Sequence, residues 1–317
     1  MLNKILLGNS GLEVSEFCLG LLPIGPLQAN KPESEIVDVI EKAIDYGVNF
    51  VDTAEGYKTQ EILGKAVLTK RKEIIISTKS HSVSYDEMAR SFSNSLRELK
   101  TDYIDIFHLH SARDSSDLFD RKSGAHKYLL EMKEQKVLHA VGVSTHSTKI
   151  VRLAAQREDI DVIFSLFNRS GIGILDGNLN DMLEAIALGY RNGKGIYAMK
   201  ALGGGNLLHD YYGALNWVRS NKHIHSIAMG VINLKELEMN LKVFGVEEIS
   251  DDAVFTPILF KKLHIYRKIC IGCGTCTKVC PNYALKIEEE KAVVNPSRCI
   301  MCGYCSPHCP EFAIRLI

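Results

Sequence analysis

The chain has 317 residues, with 38 basic against 38 acidic side chains, 46% apolar and 24% charged residues. That is an ordinary globular composition with room for one large core or two domains, and the cancelled charge lacks the basic excess of a nucleic-acid-binding domain. No run approaches the roughly 20 apolar residues that cross a bilayer, and the N-terminus lacks the layout of a secretory signal. A cytoplasmic location is expected, with neither membrane nor nucleic acid as partner.

In chain order, strands are predicted at 17–19, 50–52, 74–79, 103–110, 141–144, 162–164, 196–199 and 227–229. Helical patterns lie between them. The clearest follows Ser84, which forms a capping box with Glu87. Met88, Phe92, Leu96 and Leu99 then recur at helical spacing. Eight strand–helix units require a parallel sheet covered by helices, and some 250 residues is the size of a (β/α)₈ TIM barrel. A doubly wound open sheet is the alternative, since pattern alone does not close a barrel. In a barrel, Asp52, Lys79 and His110, each ending a strand, point to the C-terminal mouth. The polar stretch 111–124 overhangs the same face, as a solvated loop or as a substrate lid.

Residues 1–250 are therefore read as the barrel, 251–262 as a linker with Asp251, Asp252 and Pro257, and 263–317 as a second domain. From residue 261 onward there are nine Lys/Arg and four acids, a net of +5; the remainder carries 29 basic and 34 acidic residues, a net of −5. Cysteine usage changes with it. Cys18 stands alone and is expected to be a small buried hydrophobe; the other eight lie between Cys270 and Cys309. In a reducing compartment such crowding reads as a metal site rather than as disulfides. The run Cys270-x₂-Cys273-x₂-Cys276-x₃-Cys280-Pro281 returns 29 residues later as Cys299-x₂-Cys302-x₂-Cys305-x₃-Cys309-Pro310, and Ala284-Leu285 is echoed by Ala313-Ile314.

This repeat resembles the bacterial two-cluster ferredoxins, in which three closely spaced thiolates hold one iron–sulfur cube and the fourth, before proline, ligates the other. The resemblance implies a ferredoxin-like α+β domain with two [4Fe–4S] clusters. Cys270, Cys273, Cys276 and Cys309 would hold one, and Cys299, Cys302, Cys305 and Cys280 the other. Structural zinc is the alternative, but it does not account for triplet, crossing cysteine and proline together. With about −2 formal charge on each oxidised cluster and its thiolates, the basic segment is largely neutralised. Its less negative surface suits an acidic electron carrier, a ferredoxin or flavodoxin; alternatively the basic residues only offset the clusters or face the acidic barrel.

The barrel carries its own resemblance. Asp52-Thr53-Ala54-Glu55-Gly56-Tyr57 with Glu61-Ile62-Leu63-Gly64, then Ser77-Thr78-Lys79, then Asp102-Tyr103-Ile104-Asp105 running into His110, is similar to the aldo-keto reductase signature. The opening Leu7-Gly8-Asn9-Ser10-Gly11-Leu12-Glu13-Val14-Ser15 resembles that family's N-terminal hairpin. Carbonyl reduction needs a hydride at carbon and a proton at oxygen. The resemblance makes Tyr57 the general acid, whose unperturbed pKa near 10 must fall for work at neutrality. Lys79 would lower it, Asp52 would hold Lys79 charged, and His110 would orient a small carbonyl or alcohol substrate. Taken singly, a loop tyrosine, a strand-end ion pair and a core histidine are the alternatives.

For NAD(P)H, the resemblance points to Ser144, Asn168, Gly203 and Asn240. Around them the pattern departs. Thr145 follows Ser144 where the family has Asn, Phe164 replaces a glutamine, Met199 replaces the stacking aromatic, and Gly230 and Glu236 stand where basic residues would grip a 2′-phosphate. Three readings follow: a nicotinamide-dependent reductase, a nicotinamide-independent enzyme fed singly by its clusters, or a non-catalytic electron-transfer protein. The four-residue constellation favours an enzyme.

Overall fold

The computed structural model describes residues 2–112, 114, 116–249, 263–280, 283–296, 298–299 and 305–317. The expected linker, Pro281 and Cys302 lie outside the described residues.

Two short strands, β1 (Lys4–Leu6) and β2 (Glu13–Ser15), form an antiparallel hairpin. Eight parallel strands follow: β3 (Phe17–Gly20), β4 (Phe50–Asp52), β5 (Ile75–Ser80), β6 (Ile104–Ser111), β7 (Leu138–Thr145), β8 (Val162–Leu166), β9 (Gly195–Met199) and β10 (Ser226–Gly230). Neighbours pair in chain order, and β10 pairs back onto β3 with Ile227 opposite Phe17. The sheet is therefore a closed barrel, and the open doubly wound alternative is excluded.

Period-two alternation sorts the side chains. Phe17, Leu19, Val51, Ile76, Phe107, Leu109, Ile163 and Ile196 face the surrounding helices, in one continuous core. Cys18, Phe50, Ile106, Ala140, Val162, Phe164 and Tyr197 fill the barrel, and Leu7, Leu12 and Val14 of the hairpin pack against them. Cys18 is fully buried, as a small hydrophobe should be. The hairpin comes so close to β9 that a Cβ on Gly8 (φ +56°) would lie 2.4 Å from the backbone of Gly195. Only glycine tolerates both that angle and that approach.

Between β5 and β6, helix Tyr85–Leu99 starts as its sequence requires. Ser84 Oγ accepts from Glu87 N at 3.3 Å, and Glu87 Oε2 accepts from Ser84 N at 3.0 Å. Met88, Phe92 and Leu99 are buried against the barrel.

Among its described residues the C-terminal domain has two small antiparallel sheets and one short helix, Thr275–Val279. Strand β11 (Leu263–Ile265) pairs with β14 (Ile314–Leu316), and β12 (Leu285–Glu288) with β13 (Lys291–Val294). Its core joins Leu263, Leu285, Ala292, Ala313 and Ile314 to Cys270, Cys276, Cys305 and Cys309. Among the described residues no helix is long and apolar enough to cross a membrane.

Candidate functional site

Alternation along β4, β5 and β6 delivers Asp52, Lys79 and His110 to the C-terminal mouth, and the turn Glu55–Tyr57 after β4 sets Tyr57 above them. Lys79 Nζ donates to Asp52 Oδ1 at 2.6 Å and to the Thr53 carbonyl at 2.7 Å. The same ammonium lies 4.8 Å from the centroid of the Tyr57 ring. The His110 ring meets Tyr57 edge-on with centroids 6.2 Å apart, and is stacked on His81 at 3.9 Å. All four expected residues are thus brought together.

Burial works against charge on Lys79, but Asp52 and the Tyr57 phenol outweigh it and leave its pKa raised. Burial raises Asp52, with Lys79, Ser77 and Tyr197 pulling the other way. Tyr57 differs from expectation. Loss of solvent raises its pKa, and Lys79 only opposes that rise. Burial, then the neighbouring His81 and Lys79, holds His110 well below the usual histidine range, so its ring is neutral.

A polar network beneath the ion pair was not foreseen. Ser77 and Tyr197 both donate to Asp52 Oδ2, at 3.0 and 3.1 Å, and the Tyr197 hydroxyl also contacts His108 Nε2 at 2.8 Å. The signal was available: His108 stands two residues before His110 and must share its face. Burial holds His108 well below 6.5 as well. Unfolding below pH 6.5 therefore takes up protons that the folded chain excludes. The stability that His108 and His110 contribute is whole above that pH and lost as pH falls, by up to about 1.4 kcal/mol per unit for His108. A urea midpoint that falls from pH 6.5 to 5.5 would show it; a constant midpoint would refute it.

The stretch 111–124 is partly helical, with helix Leu118–Arg121 followed by Ser123–Glu134. Buried Lys122 donates to the His110 carbonyl at 2.9 Å and the His81 carbonyl at 3.3 Å, which pins the stretch to the mouth.

A cavity of about 190 Å³ opens beside Tyr57. Asp52, Tyr57, Phe164, Met199, Lys200 and Arg315 line it, with the ends of β3 and β10 and the glycines 204 and 205. The candidate nicotinamide contacts fit poorly. Asn168 Nδ2 donates to the Ile172 carbonyl, and its Oδ1 accepts from Ser170 N and Ile172 N. Asn240 is bonded to Tyr211 and to the Glu236 carbonyl. Neither of them, nor buried Ser144, lines the cavity, whereas Gly203 only begins the loop that does. Phe164 lies flat on Tyr197, with ring centroids 3.9 Å apart. Glu236 accepts from Ile232 N at 3.0 Å. The residues present do not offer the family's dinucleotide grip.

The cysteine segment fits its expected groups better. One cavity is lined by Cys270, Cys273, Cys276 and Cys309, the quartet expected for the first cluster. Cys305 lies in the electrostatic reach of Cys276, Cys280 and Cys299. Burial first, then neighbouring sulfurs, push Cys276 up to about 11 and Cys305 up to about 12. Thiols so crowded ionise together only where a metal supplies positive charge. The repeat is visible in space: Ala284 N donates to Cys280 Sγ and Ala313 N to Cys309 Sγ, both at 3.3 Å.

This domain sits on the barrel mouth. The Phe312 ring lies against Gly204, whose Cβ would meet it at 2.7 Å, and takes Lys200 Nζ at 3.5 Å from its centroid. Asn206 Nδ2 donates to Ser306 Oγ at 3.1 Å, and Lys268 Nζ to the Pro26 carbonyl at 2.8 Å.

The model of the aldo/keto reductase family matches residues 16–224, and that of the 4Fe-4S dicluster domain matches residues 262–310. An uncharacterized oxidoreductase of Bacillus subtilis, YqkF, is 29% identical over 187 residues, which cover 53% of this chain and 58% of that one. Arabidopsis thaliana L-galactose dehydrogenase is 27% identical, covering 62% and 63%. The chain thus spans under two thirds of the length of these relatives. Among solved structures, a putative aldo-keto reductase of Pseudomonas aeruginosa aligns with a TM-score of 0.66 at 23% identity, over 76% of this chain and 93% of that one. The holo form of AKR11C1 from Bacillus halodurans gives 0.67 at 19% identity, over 80% and 98%. At such identities the structures speak for the fold alone.

Proposed function

Since this chain belongs to the aldo/keto reductase family and is an oxidoreductase with a 4Fe-4S dicluster domain, we propose that it interconverts a carbonyl and an alcohol with Tyr57 as general acid and base. The observation that carries this reading is the ion pair of Lys79 and Asp52 at 2.6 Å, directly under the Tyr57 ring. A raised phenol pKa keeps the proton on Tyr57 until charge develops on the substrate oxygen, which is the right state for an acid. The ammonium 4.8 Å away then stabilises the phenolate left behind. Asp52 holds Lys79 in place, and neutral His110 donates a hydrogen bond that orients the same oxygen.

Within this reading the barrel spans 1–250, the linker 251–262 and the cluster domain 263–317. Cys270, Cys273, Cys276 and Cys309 hold one [4Fe–4S] cluster, and Cys299, Cys302, Cys305 and Cys280 the other. When bound, the clusters supply electrons one at a time. The engaged amides of Asn168 and Asn240 favour them over a nicotinamide as the electron source; two electrons would then pass singly, with one proton from Tyr57 to the oxygen and a second from solvent to the carbon, and an acidic carrier, ferredoxin or flavodoxin, would refill the clusters.

The test is anaerobic turnover of a panel of small aldehydes and ketones by the cluster-loaded chain. One arm supplies NADH or NADPH, and the other only a chemical reductant for the clusters. Alcohol formed in the second arm is the expected result. Alcohol in the first arm alone would make this a nicotinamide reductase, and none in either would sink the carbonyl reading.

A further inference from the structure

The cavity beside Tyr57 takes one wall from the other domain. Arg315, on β14, reaches it from the cluster segment. Its Nε is buried with no hydrogen-bond partner among the described residues. Its guanidinium lies 5.4 Å from the centroid of the Tyr266 ring. Arginine keeps its charge in proteins, and a buried N–H left without an acceptor is unfavourable. A carboxylate in the cavity would give that donor an acceptor and the guanidinium a counter-charge.

The rest of the lining does not supply that anion. Among the described residues Asp52 is the one acidic residue on the cavity wall, and Lys79 already neutralises it. The Arg315 guanidinium is thus a cation that no acid among the described lining residues neutralises, and Tyr57 lines the same cavity as a proton donor. Its volume of about 190 Å³ falls below the roughly 300–1,000 Å³ of drug-sized pockets, so it suits a ligand of a few heavy atoms rather than a dinucleotide.

We propose that Arg315 binds the carboxylate of the substrate, making the substrate class a small oxo acid whose carbonyl faces Tyr57. The guanidinium fork matches the two carboxylate oxygens in a way that an ammonium does not. The substrate site is then complete only when the cluster domain is seated on the barrel, so electron source and substrate are held by one docking event. This inference rests on the carbonyl reading above and names its substrate.

The test is anaerobic calorimetric binding to the full, cluster-loaded chain. The probes are pyruvate, 2-oxobutanoate and 2-oxoglutarate, each beside its primary amide. At least one acid is expected to bind at least about tenfold more tightly than its amide, the scale of a charge-assisted hydrogen bond. Arg315→Gln should remove that preference while leaving the amide's affinity and the visible cluster absorbance unchanged. Arg315→Lys, which keeps the charge without the fork, should fall between. Equal binding of every acid and its amide, or a preference that survives Arg315→Gln, overturns the proposal. So does an Arg315→Gln chain that weakens NADPH or NADH binding alone, which would give the guanidinium to a nucleotide phosphate. Tyr57→Phe, run alongside, should keep the acid preference. Its turnover reports on the proton donor separately, so the two readings can fail independently.

Discussion

Tyr57→Phe is expected to lower turnover by about 10²–10⁴-fold while both clusters stay in place. The substitution removes one oxygen and leaves the ring, so packing against His110 and the face presented to Lys79 survive. What disappears is the proton for the substrate oxygen and the anion that Lys79 would stabilise. Binding of the substrate should change little, because positioning falls to His110 and to the cavity wall, and the loss should appear in kcat rather than in KM. The check is single-turnover kinetics with iron content measured on the same sample. Undiminished kcat would refute the acid assignment.

The second large effect is expected for Cys309→Ala: roughly half of the bound iron lost, with electron delivery to the barrel lost as well. Cys309 lies in the second half of the repeat yet lines a cavity with Cys270, Cys273 and Cys276 from the first. If it ligates across the repeat, its loss strips the first cluster and spares the second. Cys309 also stands three residues before Phe312, which fixes the domain to the Gly203–Gly205 turn. Elemental analysis with electron paramagnetic resonance of the reduced protein would decide it. Full iron content would contradict crossed ligation.

Much of the molecule was legible because one rule, alternation along a strand, decides both core and site. It places Phe50 inside the barrel and carries Asp52 on the same face to the mouth, and it does the same for Ile106 and His110. The eight predicted strands coincide with β3 to β10, most of them shifted or shortened by only a residue or two at their ends. The rule would also have yielded His108, had it been applied between the named residues.

Alignment by motif served less well where local bonding intervenes. Asn168 keeps the family's offset, but its amide closes its own loop onto Ile172. The raised pKa of Tyr57 was missed because charge was weighed and loss of solvent was not. Nothing periodic announces that Phe312 and Arg315 reach the barrel. That contact depends on how two separate cores meet, and on Gly204 leaving room at φ +66°.

The seam of the barrel has a kinetic meaning. Ser226, opening β10, donates to the carbonyls of Ser15 and Glu16, 211 and 210 residues back along the chain. Contacts of such long sequence separation carry a high loop-closure cost and slow folding. The cavity beside Tyr57 takes residues from both sides of that seam, Gly20 from β3 and Gly230 from β10. A ligand held there is therefore recognised only by a chain whose last barrel strand has found its first, so its binding would report closure of the barrel.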